Sequence, residues 1–317
     1  MIVSVGLLSS GCGLIAGPSR AAIGAPPAAL NAENVSFPST SGSEIHAWFS
    51  RGKPGAGAVL LLHGVGSNRT SMSGRAIFLH RLGFTVLAPD FQAHGESPGK
   101  HVTYGARESL DAAAAMKYLS ANTPGERVGV IGISMGGAAA LLGDRPLAAD
   151  AFVLESVYPT IRQAVSNRLG TWLGPLGGIA RLFTSSFIQL FKSETGVAET
   201  ELQPIARIGQ IHAPLLLISG SADHYTPLAE ADSLFAHARA PKQFWAVRGA
   251  GHEDLYAYRP TEYARRVGGF LVENLRGSPA RGSSLDGSGV TWPQRRTGND
   301  GLHSVLNRGV RGVREPG

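Results

Sequence analysis

Cysteine is almost absent from this chain: Cys12 is the single one among 317 residues. An internal disulfide framework and every zinc site built from several cysteines are therefore excluded. Charged residues are also sparse at 16%, whereas hydrophobic residues reach 43%. This composition supplies enough apolar side chains for a large buried core and argues against a mainly disordered chain.

Net charge is small over most of the chain, although the whole sequence carries +6. Residues 30–276 contain 22 Lys and Arg side chains against 20 Asp and Glu, and the rest of the excess lies at Arg20 and after residue 276. A nucleic-acid-binding domain concentrates its cations on one face or one helix. We therefore expect no nucleic-acid partner.

Two common cofactor and metal motifs are also missing. No Gly-x-Gly-x-x-Gly follows a predicted strand, so no dinucleotide-binding fold is indicated. No His-Glu-x-x-His occurs, so a zinc protease has no support. Together with the single cysteine, these absences lead us to expect neither a cofactor nor a metal.

The N-terminal residues 1–31 differ from the rest of the chain in composition. Residues 2–17 carry no charge and are short for a membrane-spanning helix, which needs about 20 apolar residues. They suit the apolar core of an export signal, and the residues up to Cys12 resemble a bacterial lipoprotein cleavage site. We expect an exported or membrane-associated protein, anchored or lipidated at Cys12 or cleaved after export. The alternative is a cytoplasmic protein with an N-terminal extension.

Residues 21–31 are rich in Ala and Pro and are predicted to be a linker. At the other end, residues 277–317 are rich in Gly, Ser and Arg and show almost no apolar periodicity. They predict a disordered basic tail. The folded domain is therefore expected over residues 32–276.

Strand and helix patterns alternate through this domain. Short apolar or alternating runs predict strands at 35–38, 44–50, 58–62, 84–88, 128–133, 151–154, 215–219 and 243–247. Helical spacing of apolar residues predicts helices at 70–82, 103–119, 135–142, 228–238 and 263–274. The first two strands predict a hairpin, and the later alternation predicts a mostly parallel sheet. Ligands bind at the carboxyl ends of strands in such sheets, so the site is expected in the loops that follow them.

The strongest motif is Gly132-Ile133-Ser134-Met135-Gly136, which follows a predicted buried strand and opens an Ala-rich helix. A serine in such a sharp turn has a strained backbone, and its neighbours two residues away must be small. The turn exposes the hydroxyl and places the N–H of Met135 at a helix N-terminus, where negative charge is favoured. We predict that Ser134 is a nucleophile, the alternative being a simple helix-capping serine.

A serine nucleophile needs a base, and the base needs a carboxylate that fixes its tautomer. His212, His224, His237 and His252 follow the nucleophile in the domain. His252 follows the last predicted strand in a Gly-rich loop and is the predicted base. Asp223 follows the preceding strand and is the predicted acid. Glu155, at the end of the 151–154 strand, is the alternative acid.

The loop that follows the 58–62 strand contains His63 and two glycines, which permit a tight bend. The backbone N–H of Val65 is predicted to converge with that of Met135 and to form an oxyanion hole. His63 is expected to brace this loop. Asp90, His94 and Ser97 follow the next strand and are expected to hold adjacent loops by hydrogen bonds.

These motifs together resemble the α/β-hydrolase superfamily, whose catalytic order is Ser, Asp, His. The resemblance covers about residues 33–275 and implies an eight-stranded, mostly parallel sheet with helices on both faces and a triad of Ser134, Asp223 and His252. The 155–156 region and the single insertion resemble serine-aminopeptidase-like and BEM46-like hydrolases. Aspartate-dependent dehalogenases and epoxide hydrolases of this fold are excluded by Ser134, and cysteine-dependent members are excluded because the one cysteine is Cys12.

Residues 156–210, called the insertion below, separate two core strands by far more than an ordinary loop. They show helical apolar spacing on both sides of a Gly/Pro break and predict a helical lid over the strand ends. Phe183, Phe187 and Phe191 are expected to present one apolar stripe to the substrate. The alternative is that this apolar face only packs against the domain.

The predicted function is that of a serine hydrolase acting on a small-molecule carboxylic ester or thioester. A second enzymatic interpretation is a hydrolase of short peptides, of the aminopeptidase type. A third, from another class, is a binding protein with the hydrolase fold and no turnover.

Overall fold

An eight-stranded sheet lies at the centre of the computed structural model, which describes residues 16–172, 174 and 177–276. The strands in this part of the chain are β1 (Ser19–Arg20), β2 (Glu33–Pro38), β3 (Glu44–Ser50), β4 (Ala58–Leu62), β5 (Thr85–Pro89), β6 (His94–Gly95), β7 (Val128–Ile133), β8 (Ala151–Glu155), β9 (Leu215–Gly220) and β10 (Lys242–Val247). The sheet has the order β10-β9-β8-β7-β4-β5-β3-β2, and only the pairs made by β3 are antiparallel. The predicted mostly parallel eight-stranded sheet is confirmed.

Helices cover both faces of this sheet because its central strands are buried along almost their whole length. They are α1 (Ser73–Arg81), α2 (Glu108–Asn122), α3 (Met135–Leu141), α4 (Ile161–Trp172), α5 (Gly177–Ala180), α6 (Thr184–Thr195), α7 (Pro204–Ile208), α8 (Leu228–His237), α9 (Leu255–Tyr258) and α10 (Pro260–Leu275). One apolar core lies under α2, α3 and the insertion, and the other lies under α1 and α10.

The strand register brings the loops of interest to one edge of the sheet. On β7, Gly132 pairs with Leu62 of β4 on one side and with Leu154 of β8 on the other. On the outer strands, Val247 of β10 pairs with Gly220 of β9. Because these strands are parallel, the loops that follow them all leave the sheet at the same edge.

The second helix is shorter than its sequence pattern predicts, because α2 begins at Glu108 and not at residue 103. The Glu108 carboxylate accepts the backbone N–H groups of Thr103 and Gly105, each at 2.8 Å, and the Thr103 hydroxyl at 2.6 Å. These bonds hold a tight turn in which Tyr104 has φ 54°. Residues 103–107 therefore precede the helix, although their apolar spacing assigned them to it.

The predicted linker 21–31 is instead attached to the domain. Strand β1 pairs with β6, and the N–H of Ile23 donates to Glu96 Oε1 at 3.1 Å. Leu30 is 1% exposed, and its carbonyl oxygen accepts the Ser50 hydroxyl. Hydrogen bonds and the buried side chain of Leu30 therefore hold this stretch on the domain.

Residues 1–15, with Cys12 and the predicted export or lipidation signal, lie outside the described part of the chain, as does the predicted tail 277–317. Among the described helices, none combines the length and the apolar character needed to cross a membrane. The insertion contributes α4 to α7 between β8 and β9.

Candidate active site

Ser134 occupies a sharp turn between β7 and α3. Its backbone has φ 49° and ψ −112°, a conformation that is strained for a residue with a side chain. A Cβ atom added to Gly136 would lie 2.3 Å from the carbonyl oxygen of Leu62, and one added to Gly132 would lie 2.6 Å from Gly137 Cα. Close backbone contacts therefore require both glycines that flank the serine.

Strand β8 holds this turn in place. The N–H of Ser134 donates to the carbonyl oxygen of Glu155 at 2.8 Å, and the serine is 6% exposed. Met135 is the first residue of α3, so its N–H belongs to the helix turn whose N–H groups have no partner within the helix. This places the N–H of Met135 where an oxyanion donor is predicted.

The loop after β4 passes directly beside the Ser134 turn. A Cβ atom added to Gly64 would lie 3.7 Å from the carbonyl oxygen of Ile133 and 3.8 Å from Ser134 Cβ. Val65 follows and packs partly buried against the apolar core. The N–H of Gly66 donates to His94 Nε2 at 3.3 Å. The loop that carries the predicted second oxyanion donor is therefore adjacent to the serine and anchored on its far side.

His63 and His94 brace this loop as neutral imidazoles. His63 donates from Nδ1 to the carbonyl oxygen of Gly64 at 2.8 Å and accepts the N–H of Phe91 at Nε2 at 3.1 Å. His94 donates from Nδ1 to the carbonyl oxygen of Gln92 at 2.9 Å. Burial lowers the pKa of His63 from 6.5 to about 3, and burial also lowers the pKa of His94. Both rings are thus acceptors of backbone N–H groups at neutral pH.

Acid is expected to destabilise the protein through His63. A histidine whose pKa is lowered by folding loses its contribution to stability as the pH falls from 6.5 to about 3. The loss approaches about 1.4 kcal/mol per pH unit in that range. We expect the free energy of unfolding, measured by urea titration from pH 7 to pH 4, to fall more steeply in the wild type than in His63→Gln, whose amide does not titrate.

Asp111 has the opposite effect on the pH dependence of stability, but it acts equally in the wild type and in His63→Gln. Burial raises its pKa from 3.8 to about 6, against the effect of its hydrogen bonds. Its contribution to stability is therefore full below pH 3.8 and is lost as the pH rises to about 6. This carboxyl is present in both proteins, so its effect cancels in the comparison. Equal pH slopes would contradict the neutral, buried state of His63.

The predicted base and acid are joined at the ends of β9 and β10. His252 Nδ1 lies 2.8 Å from Asp223 Oδ2. Asp223 Oδ1 accepts the N–H groups of Tyr225 and Thr226, each at 2.8 Å, and Oδ2 accepts the Thr226 hydroxyl at 2.6 Å. Burial alone would raise the pKa of Asp223, but the hydrogen bond and charge of His252 and the bonds from Thr226 lower it. Asp223 is therefore an ionised carboxylate with a fixed orientation.

Glu155, the alternative acid, has other partners. It is 1% exposed, its two carboxylate oxygens accept Arg75 at 2.8 and 3.2 Å, and one of them also accepts the hydroxyl of Tyr263. The structure therefore places Asp223, and not Glu155, on His252.

The remaining candidate histidines are exposed. His212, His224 and His237 lie at the protein surface, and His237 Nδ1 bonds to the carbonyl oxygen of Ser233 on its own helix. None of the three has a carboxylate partner among the described residues. Ser134 Oγ and His252 likewise show no hydrogen bond to each other in this part of the chain.

Three side chains that the sequence did not single out connect the insertion to the acid loop. The ring of Tyr225 lies 5.4 Å from that of His252, and Arg168 Cζ lies 5.3 Å from the Tyr225 ring. Asn167, also on α4, donates to the carbonyl oxygen of Tyr225 at 3.1 Å. Proximity of Tyr225 to Asp223 in the chain was an available signal, whereas the phase of α4 became visible only in the structure.

A small apolar cavity lies between α4, α6 and the Tyr104 turn. Its lining residues are Tyr104, Ile161, Ala164, Val165, Arg168, Leu169 and Phe187. Phe187 therefore faces a cavity, and Phe191 is 4% exposed with its ring 5.7 Å from that of Tyr104. Ser134, Asp223 and His252 do not line this cavity.

Phe183 departs from the predicted stripe because it is 61% exposed. The buried face of α6 consists of Thr184, Ile188, Phe191 and Thr195. Residue 183 ends a short 3₁₀ turn that precedes the helix, and it is not part of the buried face. The four-residue spacing of these phenylalanines therefore overestimated the stripe at its N-terminal end.

Among the described residues, no group of three or more His, Cys, Asp or Glu side chains is arranged to hold a metal ion.

Comparison with known proteins finds similarity over most of the chain. Residues 59–266 match the alpha/beta hydrolase family. Uncharacterized protein Rv2307c of Mycobacterium tuberculosis is 30% identical over 245 residues, which cover 75% of this chain and 78% of that protein. Uncharacterized protein YqkD of Bacillus subtilis is 29% identical over 253 residues, with coverage of 76% and 79%.

Among solved structures, the esterase Pf2001 of Pyrococcus furiosus is similar with a TM-score of 0.68 and 26% identity, covering 82% of this chain and 98% of that one. The finer resemblance to serine-aminopeptidase-like and BEM46-like hydrolases stays a prediction. The matched stretch includes Ser134, Asp223 and His252 and the strands that carry them. By this match and by its sheet order, the chain belongs to the alpha/beta hydrolase family.

Proposed function

We propose that this protein is a serine hydrolase that cleaves a carboxylic ester or thioester through an acyl-enzyme on Ser134. The observation that carries the proposal is the 2.8 Å bond between His252 and Asp223, at the sheet edge where the strained Ser134 turn also lies. A serine needs such a base, and the base needs such a carboxylate. The similarity to an esterase of Pyrococcus furiosus supports an ester substrate.

The first half of the reaction forms the acyl-enzyme. Ser134 Oγ attacks the carbonyl carbon while His252 Nε2 takes the hydroxyl proton. The N–H groups of Val65 and Met135 donate to the oxyanion of the tetrahedral intermediate. Collapse of this intermediate breaks the bond to the alcohol or thiol, which leaves with the proton from His252.

The second half of the reaction releases the acid. Water attacks the acyl carbon and gives one proton to His252, and a second tetrahedral intermediate forms at the same donors. Its collapse breaks the bond to Ser134 Oγ, which regains the proton. Asp223 stays ionised throughout, because its pKa is lowered, and it stabilises the imidazolium in both halves.

A substrate panel and a covalent probe test this proposal. We expect hydrolysis of p-nitrophenyl esters, little hydrolysis of aminoacyl p-nitroanilides, and labelling by a fluorophosphonate whose adduct maps to Ser134. Preferred cleavage of the anilides would replace the ester assignment with a peptidase. Absence of both turnover and labelling would indicate a binding protein.

We further propose that the insertion is a lid and that Phe187 sets acyl chain length. Each buried methylene contributes about 0.8 kcal/mol, so two more carbons favour kcat/KM by about tenfold if they enter the cavity. Phe187→Ala is expected to flatten the rise of kcat/KM from acetyl to octanoyl esters. Acetyl turnover should stay near that of the wild type, because the proposed triad lies on other loops.

Phe183 provides the matched control for this test. It is the same residue type one helical turn away, but it is 61% exposed and absent from the cavity lining. Phe183→Ala should leave the chain-length profile unchanged. If Phe187→Ala and Phe183→Ala give the same profile as the wild type, Phe187 only packs against the domain. An equal fall for acetyl and octanoyl esters in Phe187→Ala would show that the insertion supports the site without selecting substrates.

A further inference from the structure

Arg75 on α1 is a buried cation that the proposed mechanism does not use. Its side chain is 1% exposed. A buried guanidinium is strongly unfavourable without partners, so Arg75 needs carboxylates or other acceptors beside it. It donates to both carboxylate oxygens of Glu155, at 2.8 and 3.2 Å, and to Asp254 Oδ1 at 2.7 Å. Burial would lower the pKa of Arg75, but the charge and hydrogen bond of Glu155 and the charge of Asp254 raise it well above its usual range. The guanidinium therefore links two carboxylates as a permanent charge.

Glu155 connects this link to the Ser134 turn. Its carbonyl oxygen accepts the N–H of Ser134 at 2.8 Å, while its carboxylate accepts Arg75 and the hydroxyl of Tyr263. Because both ends of Glu155 are bonded, its position on β8 is fixed. A single residue thus joins Ser134 to Arg75.

Asp254 connects the same link to the base loop. It follows His252 by two residues, and its Oδ1 also accepts the N–H of Tyr256 at 3.0 Å, which caps α9. The Tyr256 ring lies 5.9 Å from Arg75 Cζ, and a Cβ atom added to Gly74 would lie 2.8 Å from Tyr256 Cε1. Helix α9 therefore contacts α1 directly, and the loop that carries His252 ends at a point held by Arg75.

We propose that Arg75, Glu155 and Asp254 form a positioning clamp that sets the separation of Ser134 and His252. This inference rests on the function proposed above, in which those two side chains exchange a proton. The three clamp residues touch neither substrate nor reacting atoms, so they act through the residues they hold. Proton transfer requires hydrogen-bond contact, and a misplacement of about 1 Å costs about 100-fold in rate.

The two arms of the clamp differ in exposure, which separates positioning from fold stability. The Glu155 side chain is 1% exposed, whereas that of Asp254 is 43% exposed. Breaking the buried arm leaves an unpaired charge in the core and endangers folding. Loss of the Asp254 arm leaves the guanidinium bonded to Glu155, so the buried charge keeps a carboxylate partner. Asp254 is therefore the position at which the clamp can be opened in a folded protein.

The test compares two substitutions of Asp254 in the full chain. In Asp254→Ser, the hydroxyl still caps α9 but is too short to reach Arg75. We expect kcat for p-nitrophenyl butyrate to fall by about 10- to 100-fold with KM within about twofold of the wild type. The rate of fluorophosphonate labelling of Ser134 should fall in parallel. Asp254→Asn keeps an oxygen that can accept from Arg75, so it should recover most of the loss.

Glu262 supplies the matched control. Its carboxylate binds Arg266 at 2.8 Å and is 40% exposed, close to the 43% of Asp254, but it holds no loop of the site. Glu262→Gln should change the free energy of unfolding as little as Asp254→Ser does and leave kcat unchanged. A fall in kcat that is no larger in Asp254→Ser than in Glu262→Gln would overturn the clamp.

Ser134→Ala, measured in the same assay, distinguishes the two proposals. Activity that survives Ser134→Ala would refute the proposed function itself. Loss of activity in Ser134→Ala together with full activity in folded Asp254→Ser would refute the clamp alone. Loss in both, with recovery in Asp254→Asn, supports both.

Discussion

Replacing Ser134 with alanine is expected to lower kcat for p-nitrophenyl esters by about 10⁴- to 10⁶-fold, because the proposed covalent step needs the hydroxyl of this serine. The fold should persist, because backbone contacts hold the turn in place. These are the bond from the N–H of Ser134 to Glu155 and the close contacts of Gly132 and Gly136. Initial rates measured on purified protein, with circular dichroism to check folding, give the result. Retention of more than a tenth of the wild-type rate would contradict the mechanism.

Ser134→Gly is the informative companion to this variant. Glycine adopts φ 49° without a steric penalty, whereas alanine keeps the strain of the native turn. Both variants should be equally inactive. The free energy of unfolding of Ser134→Gly, measured by urea titration, should exceed that of Ser134→Ala by about 1 kcal/mol. An inactive but unstrained variant shows that activity is lost with the hydroxyl and not with the turn.

Asp223→Asn is expected to lower kcat by about 10⁴-fold. An amide at this position presents a donor or a neutral oxygen to His252, so the imidazole loses both its tautomer and the charge that stabilises its protonated form. The backbone bonds from Tyr225 and Thr226 can still be accepted by the amide oxygen, which keeps the loop in place. The measurement is kcat at saturating ester over a range of pH.

Glu155→Gln separates the two acids that the sequence left open. Its carboxylate binds Arg75 and Tyr263, so the substitution should reduce the free energy of unfolding. The fall in kcat should be at least about 100-fold smaller than the fall caused by Asp223→Asn. If Glu155→Gln were the less active of two folded variants, the assignment of Asp223 would be wrong.

The parts of the fold that depend on local patterns were predictable. The strands β4 and β7 have the bounds that their apolar runs predict, because a strand buried on both faces must be apolar from end to end. The Ser134 turn is equally local, since the close backbone contacts around it are made possible by glycines two residues away. The contact between Asp223 and His252 was also within reach, because each follows one of two adjacent parallel strands.

What the sequence could not predict depends on pairing between distant residues or on the start of a helix. Arg75 and Asp254 are separated by 179 positions, and an arginine in a short helix gives no sign that it is buried. The stripe through Phe183 was wrong at one end because the phase of α6 is set by where the helix begins, not by the spacing of its aromatic residues. The attachment of residues 21–31 was not predictable because Leu30 is buried in an apolar core formed by residues that lie elsewhere in the chain.

The attachment of residues 19–31 to the domain limits how far the N-terminus can be shortened for protein production. A recombinant form that starts at residue 32, where the composition changes, would lack β1 and the buried side chain of Leu30. Loss of a buried leucine costs about 2–5 kcal/mol, a large share of the stability of an ordinary domain. The hydroxyl of Ser50 and the carboxylate of Glu96 would each lose a partner as well. Truncated forms that keep residue 18 onward retain all of these contacts, so poor yield from a form starting at residue 32 would reflect a missing piece of the fold.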